Sequence, residues 1–163
     1  SGRYMGGGAG GASPTRGFFF GGLVSGQPAG DKIIESVSFA SGGASTKFGE
    51  LTVGRRAIAA VTNNTRAVSC SGDTPATNTM DFIIMATEGN ATDFGDITNQ
   101  ADGYGAGGSN ATRGVLSGSS PSNTNRIDYI TFSTTGNATD FGDTTYGSYL
   151  NGACSDSHGG LGE

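Results

Sequence analysis

The chain has 163 residues, of which 31 are glycine, 34% hydrophobic and 14% charged, with a formal net charge of −5. That length suits one domain, the negative balance excludes a broad basic footprint for nucleic acid, and no run approaches the roughly 18 apolar residues of a membrane-spanning segment. Glycine without a G-X-Y period excludes collagen and leaves disorder as the alternative to a fold, but apolar runs such as Phe18–Phe20 and Ile127–Phe132 point to short buried strands, with glycine at turns and close approaches.

In chain order the expected elements repeat. Gly6–Gly11 lacks the Gly-Lys-Ser/Thr of a phosphate loop and reads as a close-packed strand. Thr15-Arg16 leads into Gly17–Phe20, then Gly21-Gly22, a polar loop over Leu23–Lys32 and a strand over Ile34–Ala40. A turn on Gly43-Ala44 precedes Phe48-Gly49-Glu50, which opens another strand, and the small residues of Arg56–Val61 follow. The second pass runs through Thr65-Arg66, Ala67–Cys70, the loop Asp73–Thr79, the strand Met80–Ala86, the turn Gly89-Asn90, Phe94-Gly95-Asp96 and Tyr104–Gly108. The third runs through Thr112-Arg113, Gly114–Leu116, the loop Ser119–Asn125, the strand Ile127–Ser133, the turn Gly136-Asn137, Phe141-Gly142-Asp143 and Tyr149–Cys154. The Phe-Gly-acid triplets are spaced by 46 (94 − 48) and 47 (141 − 94) residues, and Thr-Arg by 50 (65 − 15) and 47 (112 − 65). The chain thus divides into units of about 15–64, 65–111 and 112–156 within one domain. Partial copies flank them: Gly2-Arg3-Tyr4 echoes Gly54-Arg55-Arg56, and Ser157-His158-Gly159-Gly160 falls where a fourth Thr-Arg-Gly would.

No segment carries a helical period. In Ile127–Phe132, Ile127 and Tyr129 face one way and Ile130 and Phe132 the other. Two apolar faces suit a sheet stacked between similar sheets, as in a propeller blade or a solenoid coil.

The order Arg16, apolar run, Gly21-Gly22, loop, Glu35, turn, Phe48, Arg55 resembles a Kelch repeat, with Phe where Kelch carries Trp and with Ala101 and Ser148 in the later second-Arg slots. The stretches ATRGVLSG, NRIDYITFSTTGNATDFGD and LNGACSDS are similar to a repeat of predicted virion proteins of aquatic bacteriophages, often labelled tail-fibre or structural protein. The resemblance implies an all-β fold of Kelch-like β-propeller blades, 46–50 residues each, forming part of a ring or a ring completed by other copies. A β-solenoid or fibre is the alternative. It implies a non-enzymatic structural and adhesive protein of the virion, whose partners are other copies of itself, other virion proteins and a host-surface glycan or protein. The alternative is a secreted or cell-surface lectin-like propeller. No cofactor, metal, nucleic acid or membrane insertion is expected.

Asp93-Phe94-Gly95 and Asp140-Phe141-Gly142 spell a kinase metal motif, but the lysine strand and catalytic loop of a kinase are missing, and a catalytic aspartate would not recur at the repeat period. The expected role is a turn: Phe48, Phe94 and Phe141 fill the space between repeats, Gly95 and Gly142 permit a bend, and Asp96 and Asp143 cap backbone N–H groups. Asn90-x-x-Asp93-x-x-Asp96 offers oxygens to calcium, yet Lys47 occupies the middle position in the first copy. His158 stands alone, without the elbow of a Ser-His-Asp site. Cys70 and Cys154 match neither a disulfide framework nor a metal spacing and read as separate thiols. Asn63, Asn90, Asn110 and Asn137 open glycosylation sequons in form, but read first as turn residues.

Arg16, Arg66 and Arg113 keep the same period as Glu35, Asp81 and Asp128, so one ion pair per repeat is expected, with an anionic ligand as the alternative. The three polar loops differ between copies while the turn stays constant. Loops on a rigid frame are where binding resides, which makes Gln27, Asp31, Lys32, Asp73, Asn78, Asn123 and Asn125 the candidate ligand-binding residues.

Overall fold

In the computed structural model, residues 3–4, 10–25, 29–101, 106–118, 124–147 and 152–153 are described. Every regular element among them is a strand. A two-stranded ribbon pairs β1 (Arg3–Tyr4) with β4 (Leu23–Val24). The rest forms three four-stranded antiparallel sheets. The first holds β2 (Gly10–Ala12), β3 (Arg16–Phe20), β5 (Ile33–Ser38) and β6 (Thr46–Glu50); the second β7 (Ala59–Thr62), β8 (Arg66–Gly72), β9 (Thr77–Ile84) and β10 (Thr92–Ala101); the third β11 (Ala106–Ser109), β12 (Arg113–Ser117), β13 (Arg126–Thr131) and β14 (Thr139–Asp143). Each sheet is an antiparallel meander, and in the first the connection from β3 to β5 carries β4.

The small-residue segments open each sheet instead of closing the unit before it. Ala59–Thr62, for example, hydrogen-bonds antiparallel to Ala67–Cys70. Their composition follows from packing. A side chain at Gly107 would lie 2.4 Å from the Ala60 carbonyl oxygen, and one at Gly11 would lie 3.0 Å from a Thr62 methyl. The first strands of adjacent sheets therefore converge, and glycine at positions 11 and 107 lets their backbones approach.

Period-two alternation explains the two apolar faces. Phe18, Phe20, Ile34 and Phe48 of the first sheet pack against Ala67, Ile83 and Met85 of the second. Val68, Cys70, Met80 and Phe94, from the other face of the second sheet, pack against Leu116, Ile130 and Phe132 of the third. Among the described residues the middle sheet is covered on both sides and the outer sheets on one.

This corrects one expectation. Phe48 and Phe94 are buried at equivalent places, but Phe141 is 56% exposed. Each ring is covered by the sheet that follows, and among the described residues no sheet follows the third. Truncating Phe94 to Ala is therefore expected to cost about 3–5 kcal/mol, and truncating Phe141 less than about 1 kcal/mol. Urea denaturation of the two variants checks the contrast.

Candidate functional site

The repeated string GNATDFGD is a clip between sheets. The backbone N–H groups of Gly89 and Ala91 donate to the carbonyls of Phe48 and Glu50 at 3.1 and 2.8 Å, while Asn90 Oδ1 accepts from the Glu50 N–H at 3.1 Å. One repeat later, Gly136 and Ala138 donate to Phe94 and Asp96 at 2.7 and 2.8 Å, and Asn137 Oδ1 accepts from the Asp96 N–H at 3.0 Å. Gly-Asn-Ala of each copy thus docks on Phe-Gly-acid of the copy before. Glycine is required at the receiving position, because a Cβ on Gly49 would sit 1.8 Å from the Gly89 oxygen and one on Gly95 would sit 2.5 Å from Gly136.

The acidic residue before the phenylalanine bends the strand. Asp93 Oδ1 accepts from the Gly95 N–H at 3.1 Å and Asp140 Oδ1 from the Gly142 N–H at 2.9 Å, across a register shift in each sheet. The backbone caps are therefore Asp93 and Asp140, where Asp96 and Asp143 were expected. In the first copy Lys47 replaces the aspartate and pairs with Glu50 at 2.6 Å, which holds the Glu50 carboxyl below its usual range. The sequon residues Asn63 and Asn110 close tight turns, each Oδ1 accepting from the N–H groups two and three residues on at 2.8–2.9 Å.

The expected ion pairs are rearranged. Arg66 lies opposite Ile84 in the β8–β9 ladder and Asp81 opposite Ser69, three residues along. An odd number of steps puts the two side chains on opposite faces of the sheet. The same parity separates Arg113 from Asp128 and Arg16 from Glu35. Arg66 instead stacks over the Phe82 ring at 4.8 Å and donates from Nη1 to the Phe132 carbonyl of the next sheet at 2.5 Å. Arg113 stacks over Tyr129 at 5.0 Å, and Arg16 approaches Glu88 at 3.9 Å. Asp81 is held by Arg55, which is 0% exposed: Nη1 donates to Oδ2 at 2.8 Å, and Nη2 donates to Ser69 Oγ at 3.0 Å. Thr52 adds its N–H at 3.2 Å and its hydroxyl at 2.6 Å. Thr98 repeats this on Asp128, its hydroxyl donating at 2.8 Å, but without a buried arginine. The recurrence of Thr52, Thr98 and Thr145 at the repeat spacing is the signal in the sequence for this second network. The network is closed to solvent at Arg55 and Asp81 and ties the link after β6 to the second sheet.

The described parts of the variable loops lie where strand two of a sheet leads to strand three, the end at which the link over residues 51–58 also runs; the constant turns lie at the other. The first two loops touch, the Gly30 N–H donating to the Thr74 carbonyl at 3.2 Å. Several candidate ligand residues there are engaged in the frame. Asp31 Oδ1 accepts from the Ile33 N–H at 3.1 Å, Lys32 Nζ donates to the Thr52 carbonyl at 2.9 Å, and Asp73 pairs with Arg56 at 2.5 Å. Asn78 is half-buried on β9, and Asn125 is exposed, its carbonyl accepting from the Thr144 N–H at 2.6 Å. Gln27, Asn123, His158 and Cys154 lie outside the described residues. A depression of about 230 Å³ opens at the constant-turn end, where Thr134, Thr135, Asn137 and Thr139 present polar groups beside Tyr129. Cys70 is fully buried, and burial pushes its thiol up from 9.0 to about 12, so it is not a nucleophile at neutral pH.

No known family model matches the chain, and no curated protein matches it. Among solved structures it is similar to one titled "Structure of YjhT", with a TM-score of 0.67 at 8% sequence identity over 83% of this chain. The likeness is one of fold. The chain spans about half the length of that structure, 51% of it. Stacked four-stranded antiparallel sheets with converging first strands make the fold all-β and propeller-like.

Proposed function

We propose that the three sheets are Kelch-like propeller blades of a non-enzymatic structural and adhesive protein, a virion appendage of the tail-fibre kind that presents loops to a host surface. The observation that carries this reading is the division of labour between constant and variable segments. Residues that recur between copies join one sheet to the next: Asn90 and Asn137 clip, Phe48 and Phe94 fill, and Asp81 and Asp128 anchor the links. The described parts of the first two segments that differ between copies meet at one end, where Gly30 donates to Thr74, and are tied to the frame by Asp31 and Asp73. Polar tips on a rigid base suit hydrogen bonding to sugar hydroxyls or to a protein surface.

Loop exchange tests it. Residues 26–29, 74–76 and 119–123 are replaced one set at a time by unrelated sequence of equal length, with Gly30, Asp31 and Asp73 kept. Each variant is expected to melt with the parent and at least one to lose adsorption to host cells and binding on a glycan array. Parental adsorption by all three variants would make the chain a spacer or shell component.

A further inference from the structure

We propose that the turn of the third sheet holds a binding site for one neutral sugar ring, in the depression beside Tyr129 at the constant-turn end. The site is separate from the variable loops of the adhesive reading, and neither depends on the other.

The depression has a volume of about 230 Å³ and is walled by Phe94 of the second sheet, by Tyr129, Thr131 and Thr139 of the β13–β14 hairpin, and by the turn between those strands. One wall is an internal junction of the chain, where the Gly136 N–H donates to the Phe94 carbonyl at 2.7 Å and Asn137 Oδ1 accepts from the Asp96 N–H at 3.0 Å. A side chain at Gly136 would meet nothing within 4 Å, so the turn stands clear there. The second-sheet counterparts of Thr131 and Thr139 are Ile84 and Thr92, and both are exposed although a sheet follows them. Phe82, the counterpart of Tyr129, is half-buried, as Tyr129 is. The opening therefore belongs to the turn and not to the last place in the array.

The polar groups of the wall are unengaged. The hydroxyls of Thr131, Thr134, Thr135 and Thr139 make no hydrogen bond among the described residues, whereas those of Thr52, Thr65, Thr98 and Thr112 are held by the frame. Asn137 uses its Oδ1 in the clip, which leaves Nδ2 to donate. A threonine hydroxyl both donates and accepts, and a carboxamide NH₂ donates. No charged side chain lines the depression. A ligand bearing several hydroxyls and no charge matches these groups. An apolar ligand would leave them unpaired, and an ion would lose water with no countercharge in the wall. Tyr129 supplies an apolar surface for the ring carbons, and its own ring is held by Arg113 over one face at 5.0 Å and by Phe141 edge-on at 5.7 Å. The volume lies below the roughly 300–1,000 Å³ of pockets for drug-sized ligands, which limits the occupant to a single ring.

The second copy shows that the frame does not require these residues. Gly-Asn-Ala-Thr-Asp-Phe-Gly is identical in the two turns, yet Tyr129, Thr131 and Thr135 correspond to Phe82, Ile84 and Glu88. The second turn makes the same clip with an apolar pair and a carboxylate in those places, and Glu88 there approaches Arg16 at 3.9 Å. Binding is therefore expected at the third turn and not at the second.

Amide NMR of the full 163-residue chain tests the site, by titration with the methyl glycosides of glucose, galactose, mannose and N-acetylglucosamine and with glucuronate. At least one neutral glycoside is expected to shift the amides of Thr131, Thr134, Thr135 and Asn137, with a dissociation constant on the order of millimolar. The amides of Ile84, Glu88 and Asn90 in the second turn are expected to stay in place. Thr131→Ile combined with Thr135→Glu installs residues that the fold already accommodates one repeat earlier. This double variant is expected to melt with the parent and to bind at least about tenfold more weakly, the effect of one or two lost hydrogen bonds. Thr135→Glu alone, on the exposed turn, is expected to weaken binding in the same direction. Silence from every neutral glycoside overturns the proposal, as do preference for glucuronate, shifts confined to the loop end, or variants that bind like the parent. None of these outcomes bears on host adsorption, which the loop exchanges read.

Discussion

Asp81→Ala is expected to destabilise the protein by about 3–5 kcal/mol, the range for removing one partner of a buried ion pair. The Arg55 guanidinium that remains would be 0% exposed and anchored only by Ser69 and the Val53 carbonyl. Its Nε already has no hydrogen-bond partner, so nothing in the frame offsets the lost carboxylate. The donors of Thr52 would lose their acceptor at the same time. Asp128→Ala provides the comparison. It removes the same threonine contacts from the third sheet but strands no buried arginine, and is expected to cost about 1–3 kcal/mol. Replacing Arg55 by Met together with Asp81 by Leu should cost less than Asp81→Ala alone, because no unpaired charge is left inside. Urea denaturation of the variants measures the order. Equal losses for Asp81→Ala and Asp128→Ala would show that the guanidinium finds solvent or another partner.

Gly49→Ala is expected to lose about 2–4 kcal/mol, although it adds one methyl group. That methyl would lie 1.8 Å from the Gly89 oxygen, a backbone atom that moves only if the next turn lifts away. Lifting it breaks the hydrogen bonds of Gly89, Ala91 and Asn90 to the first sheet together. Gly95 and Gly142 separate this contact from backbone strain. Both have positive φ, 136° and 142°, so alanine is strained at either, on the order of 1–3 kcal/mol. Only the Gly95 methyl meets a following turn, at 2.5 Å. The excess loss of Gly95→Ala over Gly142→Ala is the contribution of the clip. No excess would mean that the turn yields without resistance.

These two effects also mark what was legible beforehand. Internal repetition is a strictly local signal, and it sufficed for the class of fold: strands of both-sided apolarity, a period of 46–47 residues between Phe-Gly-acid triplets, and a constant hydrogen-bonded turn. It also marked that turn as part of the frame, where Asn90 and Asn137 join one sheet to the next. Partnership was not legible. Arg66 and Asp81 share a period because each sheet repeats its environment, not because they touch; the three-residue offset in the ladder puts them on opposite faces, and only the register reveals it. Arg55 has no counterpart in the later copies, so repetition hid the one arginine that is wholly buried among the described residues. Phe141 repeats Phe94 in sequence and differs in exposure, because burial there is conferred by the next sheet and not by the residue's own. The sequence by itself determined what each sheet is made of. The tertiary structure decided which sheet each residue meets, because those contacts join residues some 40 positions apart across a gap that no local pattern records.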